Sequence, residues 1–309
     1  MKNSSISVVV PIFNESENII ELNKRLLKVL IKCNHYEIIY VNDGSNDDSL
    51  EILKKLSFKN NSIKIISLSR NFGQQTAYKA GIEFVTKDIT VLMDGDLQDP
   101  PEIIPDLVKK INEKFNIVYA IRKKRKGNYF KRISYFLFYR ILNIVSNLKI
   151  PIDSGDFSAL DKKSILILNQ FKEKNIFLRG VRAWIGLKQT SIEYQRDLRF
   201  HGKHKLSFFS LLKLAFDGIV SFSSMPLRIA SFFGFTITFI SSIYIIYILI
   251  KKFFLYEGPT GWPSLMIVIL FIGGVQLLFL GIIGEYLARI YDEVKQRPNY
   301  IIEEKINIS

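Results

Sequence analysis

Short apolar runs alternate with longer amphipathic segments along the chain up to about residue 120. Five runs are short, continuous and rich in β-branched residues, which is typical of buried strands: residues 6–12, 37–41, 63–67, 89–93 and 117–120. The segments between them predict helices over residues 17–33, up to about 56, 72–85 and 103–115. Strands that alternate with helices indicate βαβ units, so the pattern predicts an α/β fold with a mostly parallel sheet.

The pattern changes after about residue 205. Residues 229–250 form a run of 22 residues without a charge, and residues 264–284 form a second run of 21. Each run is long enough to cross a bilayer core of about 30 Å as a helix, although a buried helix of a soluble protein has the same composition. The connection at 251–263 is short and can only join antiparallel spans. We therefore predict a transmembrane hairpin with both ends on one side of the membrane.

Two further segments predict helices that lie in the plane of a membrane surface. Residues 128–147 place apolar side chains on one helical face and basic side chains off it. Residues 207–222 are apolar except for Lys213 and Asp217. Basic-flanked amphipathic helices suit a membrane interface, and packing on the sheet is the alternative for both segments.

The composition supports a membrane or an anionic ligand as partner. The chain of 309 residues carries a formal net charge of +14 and is 48% hydrophobic, a combination that favours these partners over nucleic acid. The single Cys33 excludes an internal disulfide framework and suits a reducing compartment. The polar start and the short first apolar run do not form a signal peptide, so we expect the first domain to stay in the cytoplasm.

An Asp-x-Asp pattern follows the predicted strand at 89–93. Asp94-Gly95-Asp96 is followed at once by Leu97-Gln98-Asp99-Pro100-Pro101. The carboxyl end of a strand is where open α/β sheets place their ligands, and Mg²⁺ or Mn²⁺ binds carboxylates together with substrate phosphate. The pattern predicts a divalent metal held against a diphosphate, whereas a lone Asp-x-Asp is more often a polar turn.

Several motifs occur in one order along nearly the whole chain, and together they identify a family. They are Val10-Pro11-Ile12-Phe13-Asn14-Glu15, Val41-Asn42-Asp43-Gly44-Ser45, Leu68-Ser69-Arg70-Asn71-Phe72-Gly73, Met93–Glu102, Gly155-Asp156-Phe157, Arg199–Lys205 and Asp217–Ser223. With these motifs and the hairpin, the chain resembles the family 2 glycosyltransferases of GT-A fold. Within them it is similar to the polyprenyl-phosphate glycosyltransferases that have a two-helix membrane anchor.

The resemblance implies a domain organisation. Residues 1–205 would form a cytoplasmic, Rossmann-like GT-A domain, and 206–227 an interfacial helix. Residues 228–290 would hold two transmembrane helices, at about 229–250 and 264–286, and 291–309 a cytoplasmic tail. The protein would then be a multi-pass protein of the inner membrane whose catalytic domain faces the cytoplasm.

The resemblance also implies roles for individual residues. Asp96 and Gln98 would bind Mg²⁺ or Mn²⁺, and Asp94 would contact the nucleotide or the metal. Asp156 would be a catalytic base or an orienting residue, and Arg122, Arg125, Arg199 and Lys205 would bind the acceptor phosphate, with a lipid-attracting basic patch as the alternative for the first two. The nucleotide-sugar pocket would contain Pro11, Asn14, Glu15, Asp43, Ser45, Asp94 and Gly95.

The chain departs from the family pattern at two places. The common Asp-Asp-Gly-Ser has an asparagine at its first position, Asn42, so the nucleotide-binding role falls on Asp43. The usual Gly-x-Ser-Lys reads Gly202-Lys203-His204-Lys205, which leaves Lys205 as the expected phosphate ligand.

The expected reaction is transfer of a hexose from a UDP-sugar to undecaprenyl phosphate, with inversion and one transfer per acceptor. UDP-glucose is the first candidate donor, followed by UDP-N-acetylhexosamine, UDP-aminoarabinose and GDP-mannose. A soluble or protein acceptor is an alternative, and a membrane scaffold without catalysis is an alternative of another class. Small residues at Gly273-Gly274 and Gly281-x-x-Gly284, and tetramers within the family, point to a homo-oligomer.

Overall fold

The computed structural model of the protein describes residues 4–122, 154–174, 176–195, 225–255 and 261–308. The chain divides into two compact units. The first combines Met1–Gly218 with Pro298–Ser309, and the second is Ile219–Arg297.

The first unit alternates strands and helices as the hydrophobic pattern predicts. Its described strands are β1 (Ser5–Ile12), β2 (His35–Asn42), β3 (Ile63–Leu68), β4 (Ile89–Leu92), β5 (Ile117–Arg122), β6 (Ser154–Asp161), β7 (Gln189–Tyr194) and β8 (Ile302–Ile306). Its described helices are α1 (Ser16–Leu30), α2 (Ser49–Lys59), α3 (Gln74–Ile82), α4 (Ile104–Asn112), α5 (Lys162–Gln170) and α6 (Leu178–Trp184), and a short 3₁₀ turn, Pro101–Ile103, precedes α4.

One sheet of eight strands organises this unit. Its order is β7-β5-β6-β4-β1-β2-β3-β8. Strands β1 to β5 and β7 run in one direction, whereas β6 and β8 run in the other. The prediction of a mostly parallel sheet is confirmed. Because β6 lies between β4 and β5 and runs against both, its first residues lie at the edge where the parallel strands end.

The central strands are largely apolar and buried, as expected for strands of a mostly parallel sheet that are covered on both faces. Seven of the eight residues of β1 are buried, and Val8 and Val10 are completely inaccessible. The buried stripe of α1, which includes Ile19, Leu22 and Leu26, packs into the same core. The loop that follows β1 therefore starts from a strand that is buried in the core of this unit.

Strand β8 was not predicted from the sequence. Residues 291–309 were expected to be a tail, but Ile302–Ile306 pairs antiparallel with β3 at the edge of the sheet. The segment Ile302-Glu303-Glu304-Lys305-Ile306 has neither an apolar run nor a strict alternation. Short, charged strands are typical of sheet edges, where only one side pairs and charges discourage further pairing.

The second unit contains two long helices, α7 (Met225–Leu255) and α8 (Trp262–Val294). Each contains a window that is long and apolar enough to cross a membrane, Leu227–Tyr244 and Phe271–Val294. The described part of the chain thus has helices where the sequence predicts spans. The predicted interfacial helices at 128–147 and 207–222 lie outside the described residues.

Candidate active site

The predicted site residues gather at one edge of the sheet. The loops after β1, β2 and β4 leave the carboxyl ends of parallel strands, and β6 starts at the same edge because it runs in the opposite direction. This brings Asp94, Asp96 and Asp156 into one region although up to 62 positions separate them in the chain. The edge is where α/β sheets bind ligands.

Asp94 is held by two residues of helix α3. Its Oδ1 accepts hydrogen bonds from Gln74 Nε2 at 2.6 Å and from Tyr78 Oη at 2.7 Å. Burial raises the pKa of Asp94 to about 7, and the negative charges of Asp99 and Asp156 add to this effect. Several carboxylates are therefore crowded together, and a bound cation would relieve their repulsion.

The turn around Asp96 has an unusual backbone. Leu97 adopts a left-handed conformation with φ of 59°, and its side chain is buried. The backbone N–H of Gln98 donates to Asp96 Oδ1 at 3.1 Å. A Cβ atom on Gly95 would lie 2.6 Å from Ile12 Cδ1 and 3.0 Å from the backbone oxygen of Pro11, so a larger residue would have to displace the Ile12 side chain and crowd β1. The side chains of Asp96 and Gln98 are left half-buried at the sheet edge.

The donor set fits a divalent cation that also binds substrate. Across the residues that the structure describes, no three His, Cys, Asp or Glu side chains form a cluster able to hold a metal by themselves. Asp96, Gln98 and Asp94 supply hard oxygen atoms, which suit Mg²⁺ or Mn²⁺. Such ions are commonly bound by one or two carboxylates with the remaining ligands from phosphate and water.

Asp156 forms a bidentate ion pair with Arg179 of helix α6. Arg179 Nε donates to Oδ1 at 3.0 Å and Nη2 to Oδ2 at 2.8 Å. Gln75 Nε2 also donates to Oδ2, at 3.3 Å. Burial alone would raise the pKa of Asp156, but the charge and hydrogen bonds of Arg179, together with Arg182 and Gln75, lower it to about 2. A carboxylate that is paired in this way and has so low a pKa is a weak proton acceptor.

The ion pair should make stability depend on pH in the acid range. The folded-state pKa of Asp156 is lowered from 3.8 to about 2, so its stabilisation is complete above pH 3.8 and is lost as the pH falls through about 2. The difference in unfolding free energy between the wild type and an Asp156→Asn variant should shrink by about 2 kcal/mol across this window. Denaturant unfolding between pH 2 and 6 measures it. A constant difference would contradict an ionised Asp156.

Arg122, a predicted phosphate ligand, is engaged inside the fold. Its Nε donates to Tyr194 Oη at 3.4 Å, and its Nη2 lies 4.0 Å from Asp99 Oδ1. Tyr194 Oη also donates to Asp99. Arg122 thus connects the ends of β5 and β7 to the loop after β4. The other predicted phosphate ligands, Arg125, Arg199 and Lys205, lie outside the described residues.

A cleft of about 390 Å³ opens where β1, β2 and β3 end. Of the predicted nucleotide-binding residues, Ser45 lines it directly. Asn14, in a left-handed conformation with φ of 53°, shapes the wall: its Oδ1 accepts from Asn46 N at 2.8 Å. The lining residues are Phe13, Asn42, Gly44, Ser45, Asn46, Leu50, Ser67, Leu68, Ser69, Arg70, Asn71 and Glu303.

Asp43 and Glu15 make local contacts rather than lining the cleft. Both oxygens of Asp43 accept backbone N–H groups, from Phe72 at 2.7 Å and from Gly73 at 2.9 Å, so this side chain holds the loop before α3. Glu15 accepts from Asn18 Nδ2 at 2.5 Å in the first turn of α1. Pro11 pairs with Val41 within the sheet. These residues therefore hold the segments that surround the cleft and do not line it themselves.

Sequence analysis missed several residues of the site. Gln74 and Tyr78 lie four apart, hence on one face of the predicted helix that follows the Leu68–Gly73 motif, and this spacing was a usable signal. Arg179 and Arg182 gave no such signal, because neither belongs to a motif. Glu303 was missed with its strand.

Comparisons of the sequence with a family model and with curated relatives point to one family. Residues 7–166 match the family model described as Glycosyl transferase family 2. The chain is 44% identical to the uncharacterized glycosyltransferase YkcC of Bacillus subtilis, over 98% of this chain and 94% of the relative. It is 37% identical to the bactoprenol glucosyl transferase of Shigella phage SfII, over 97% of each chain. A solved structure, glucosyl-3-phosphoglycerate synthase of Mycobacterium tuberculosis with Mn²⁺, UDP and phosphoglyceric acid, superimposes with a TM-score of 0.49 at 21% identity, over 70% of this chain and 76% of the other.

Proposed function

Because the chain belongs to the family 2 glycosyl transferases and is therefore a glycosyltransferase, we propose that it moves a hexose, with glucose the first candidate, from a UDP-sugar to a polyprenyl phosphate. One observation carries the choice of acceptor. Similarity to a bactoprenol glucosyl transferase extends over 97% of this chain, so it includes the two long apolar helices and not only the α/β unit. An acceptor that is embedded in the membrane explains why the two apolar helices occur in the same chain as the catalytic unit.

Three side chains would hold a divalent cation at the donor diphosphate. Asp96 and Gln98 are the proposed direct ligands. Asp94 is the third side chain of the proposed site, and hydrogen bonds from Gln74 and Tyr78 fix its orientation. Mg²⁺ or Mn²⁺, when bound, would act as a Lewis acid for the nucleoside diphosphate that leaves. The left-handed Leu97 and the tightly packed Gly95 keep the two carboxylates in place before substrate arrives, which lowers the cost of reorganisation.

The acceptor needs little help from a base. A phosphate monoester has its second pKa near ~6, so a polyprenyl phosphate is an anion at neutral pH. Its oxygen would attack the anomeric carbon while the bond from that carbon to the diphosphate breaks, which inverts the configuration. Asp156, ionised and held by Arg179, would then position the sugar or the acceptor phosphate instead of removing a proton.

The helices α7 and α8 are proposed to anchor the protein in the inner membrane with the α/β unit on the cytoplasmic side. Gly273, Gly274, Gly281 and Gly284 of α8 have open space where a Cβ would stand. Small residues allow close approach of membrane helices, so we include a homo-oligomer, for which a tetramer is one form, in the proposal.

Sugar transfer by the purified, detergent-solubilised protein tests this proposal. Labelled UDP-glucose, UDP-N-acetylhexosamine, UDP-aminoarabinose and GDP-mannose are offered with undecaprenyl phosphate and Mg²⁺ or Mn²⁺. Label should enter the lipid phase from one donor, UDP-glucose by expectation, and EDTA should abolish the transfer. Hydrolysis of a donor that depends on metal but yields no lipid product would move the acceptor away from polyprenyl phosphate. Silence in both assays would contradict the proposed reaction.

A further inference from the structure

Strand β8 brings a carboxylate to the cleft from the far end of the chain. Glu303 is one of the cleft-lining residues, although the others described there belong to residues 13–71. Ser69 N donates to Ile301 O at 3.0 Å, which extends the contact between the loop after β3 and the segment leading into β8. The cleft is therefore closed on this side by a segment that follows the second apolar helix in sequence.

A β-bulge directs Glu303 differently from its neighbours. Ser67 pairs with Glu304, whereas the next residue, Leu68, pairs with Ile302, so Glu303 is the extra residue without a partner on β3. Glu304 turns to helix α2, where its Oε2 lies 2.8 Å from Lys54 Nζ. Bulges commonly re-aim a side chain next to a binding site, and here the bulge presents Glu303 to the cleft.

Glu303 supplies the acidic group that the other described lining residues lack. Among them it is the single carboxylate. Asn42 stands where family members commonly have aspartate, and its side chain bonds to Ser67 Oγ at 3.1 Å and to Ser45 N at 3.3 Å. Both oxygens of Asp43 are used by backbone N–H groups. Among the described lining residues, the negative acceptor for a ligand therefore comes from β8.

The strand order places Glu303 at the end of the site that is farthest from the proposed metal. Asp94 and Asp96 follow β4, and β1, β2 and β3 separate that strand from β8. Because neighbouring strands lie ~4.8 Å apart, Glu303 lies farther from the proposed metal site than a group that contacts the diphosphate would. In a nucleotide the base is the part farthest from the phosphates.

We infer that Glu303 reads the base of the donor nucleotide, and this inference rests on the proposed function. A carboxylate only accepts hydrogen bonds. It favours a base with an N–H between carbonyl-bearing carbons, as in uracil, or the ring N–H of guanine. Cytosine and adenine offer the carboxylate only their exocyclic amino group, beside a ring nitrogen that is itself an acceptor and repels it, so they fit less well. The C-terminal strand is thus a specificity element of the donor site.

Binding of nucleoside diphosphates to the full-length protein in detergent tests the inference. Titration calorimetry with UDP, GDP, CDP and ADP, in the presence of Mn²⁺, is compared between the wild type, Glu303→Gln and Glu304→Gln. Glu304 is the matched control, because it neighbours Glu303 but pairs with Lys54 outside the cleft.

The wild type should bind UDP or GDP at least about tenfold more tightly than CDP or ADP, because a hydrogen bond to a charged group is worth that factor or more. Glu303→Gln should lower the affinity for the preferred nucleoside diphosphate by about tenfold and reduce the ratio of this affinity to that for CDP. Glu304→Gln should leave the affinity and the ratio unchanged. Wild-type affinity and preference in Glu303→Gln would overturn the inference. Equal weakening of UDP and CDP would also overturn it, since these ligands differ only in the base. Failure of the wild type to bind any of the four would instead refute the proposed function on which the inference rests.

Discussion

Replacing Asp96 by asparagine is expected to reduce sugar transfer by about a thousandfold or more while the fold is retained. The asparagine amide oxygen can still accept the hydrogen bond that Gln98 N donates at 3.1 Å, so the turn should keep its shape. The negative charge is lost, and with it the proposed ligand for the cation at the donor diphosphate. Initial rates of transfer to undecaprenyl phosphate, with the thermal unfolding midpoint recorded in parallel, measure both parts of this prediction.

Asp106→Asn is the control for this experiment. Asp106 is exposed on helix α4 and takes no part in the site, so its variant should transfer sugar at the wild-type rate. Undiminished activity of Asp96→Asn would contradict the proposed metal site. Undiminished biological activity of an Asp96→Ala variant would favour a membrane scaffold without catalysis.

The largest loss of stability is expected from Arg182→Met. Arg182 is fully buried, and its guanidinium donates to the carbonyl oxygens of Gly155 and Asp156 at 3.1 and 3.0 Å and to the hydroxyl of Ser158. It also lies over the ring of Tyr119 at 5.3 Å. Methionine fills much of the volume but leaves these acceptors without their donor. Breaking such a buried cluster costs about 3–5 kcal/mol.

Denaturant unfolding of the detergent-solubilised protein, followed through tryptophan fluorescence, to which Trp184 of α6 and Trp262 of α8 contribute, measures this loss. Arg25→Met is the matched control, because Arg25 pairs with Glu102 at 2.6 Å while the two side chains are 24% and 50% exposed. An ion pair of this exposure contributes about 1 kcal/mol or less. Equal losses in the two variants would show that the buried contacts of Arg182 add nothing beyond a surface pair.

The helices and strands of the first unit could be predicted because buried segments have characteristic hydrophobic patterns: continuous apolar runs for strands and amphipathic periodicity for helices. The apolar run at 6–12 predicted β1, which extends over Ser5–Ile12, and the run at 89–93 predicted β4, which extends over Ile89–Leu92. Helix α1 was predicted to run to residue 33 and ends at Leu30, because helix ends depend on hydrogen bonds that periodicity does not record.

The site was predicted in part for the same reason. Asp94 and Asp96 stand out because they follow a buried strand directly, so their position relative to the sheet is a local property. The partners that decide their behaviour come from elsewhere: Tyr78 is 16 positions from Asp94, and Arg179 is 23 positions from Asp156. No pattern within a short window contains such a pair.

By itself the sequence determined the class of fold, the strand ends that carry the carboxylates and the two long apolar helices, because each follows from neighbouring residues and their hydropathy. Only the tertiary structure decided that β6 enters the sheet between β4 and β5, that Asp43 holds a loop, and that Glu303 reaches the cleft from β8. These features depend on contacts between segments that are distant in the chain. The contacts that stabilise these features are packing and hydrogen bonds that form only when the sheet is assembled. Local sequence propensity therefore does not predict them.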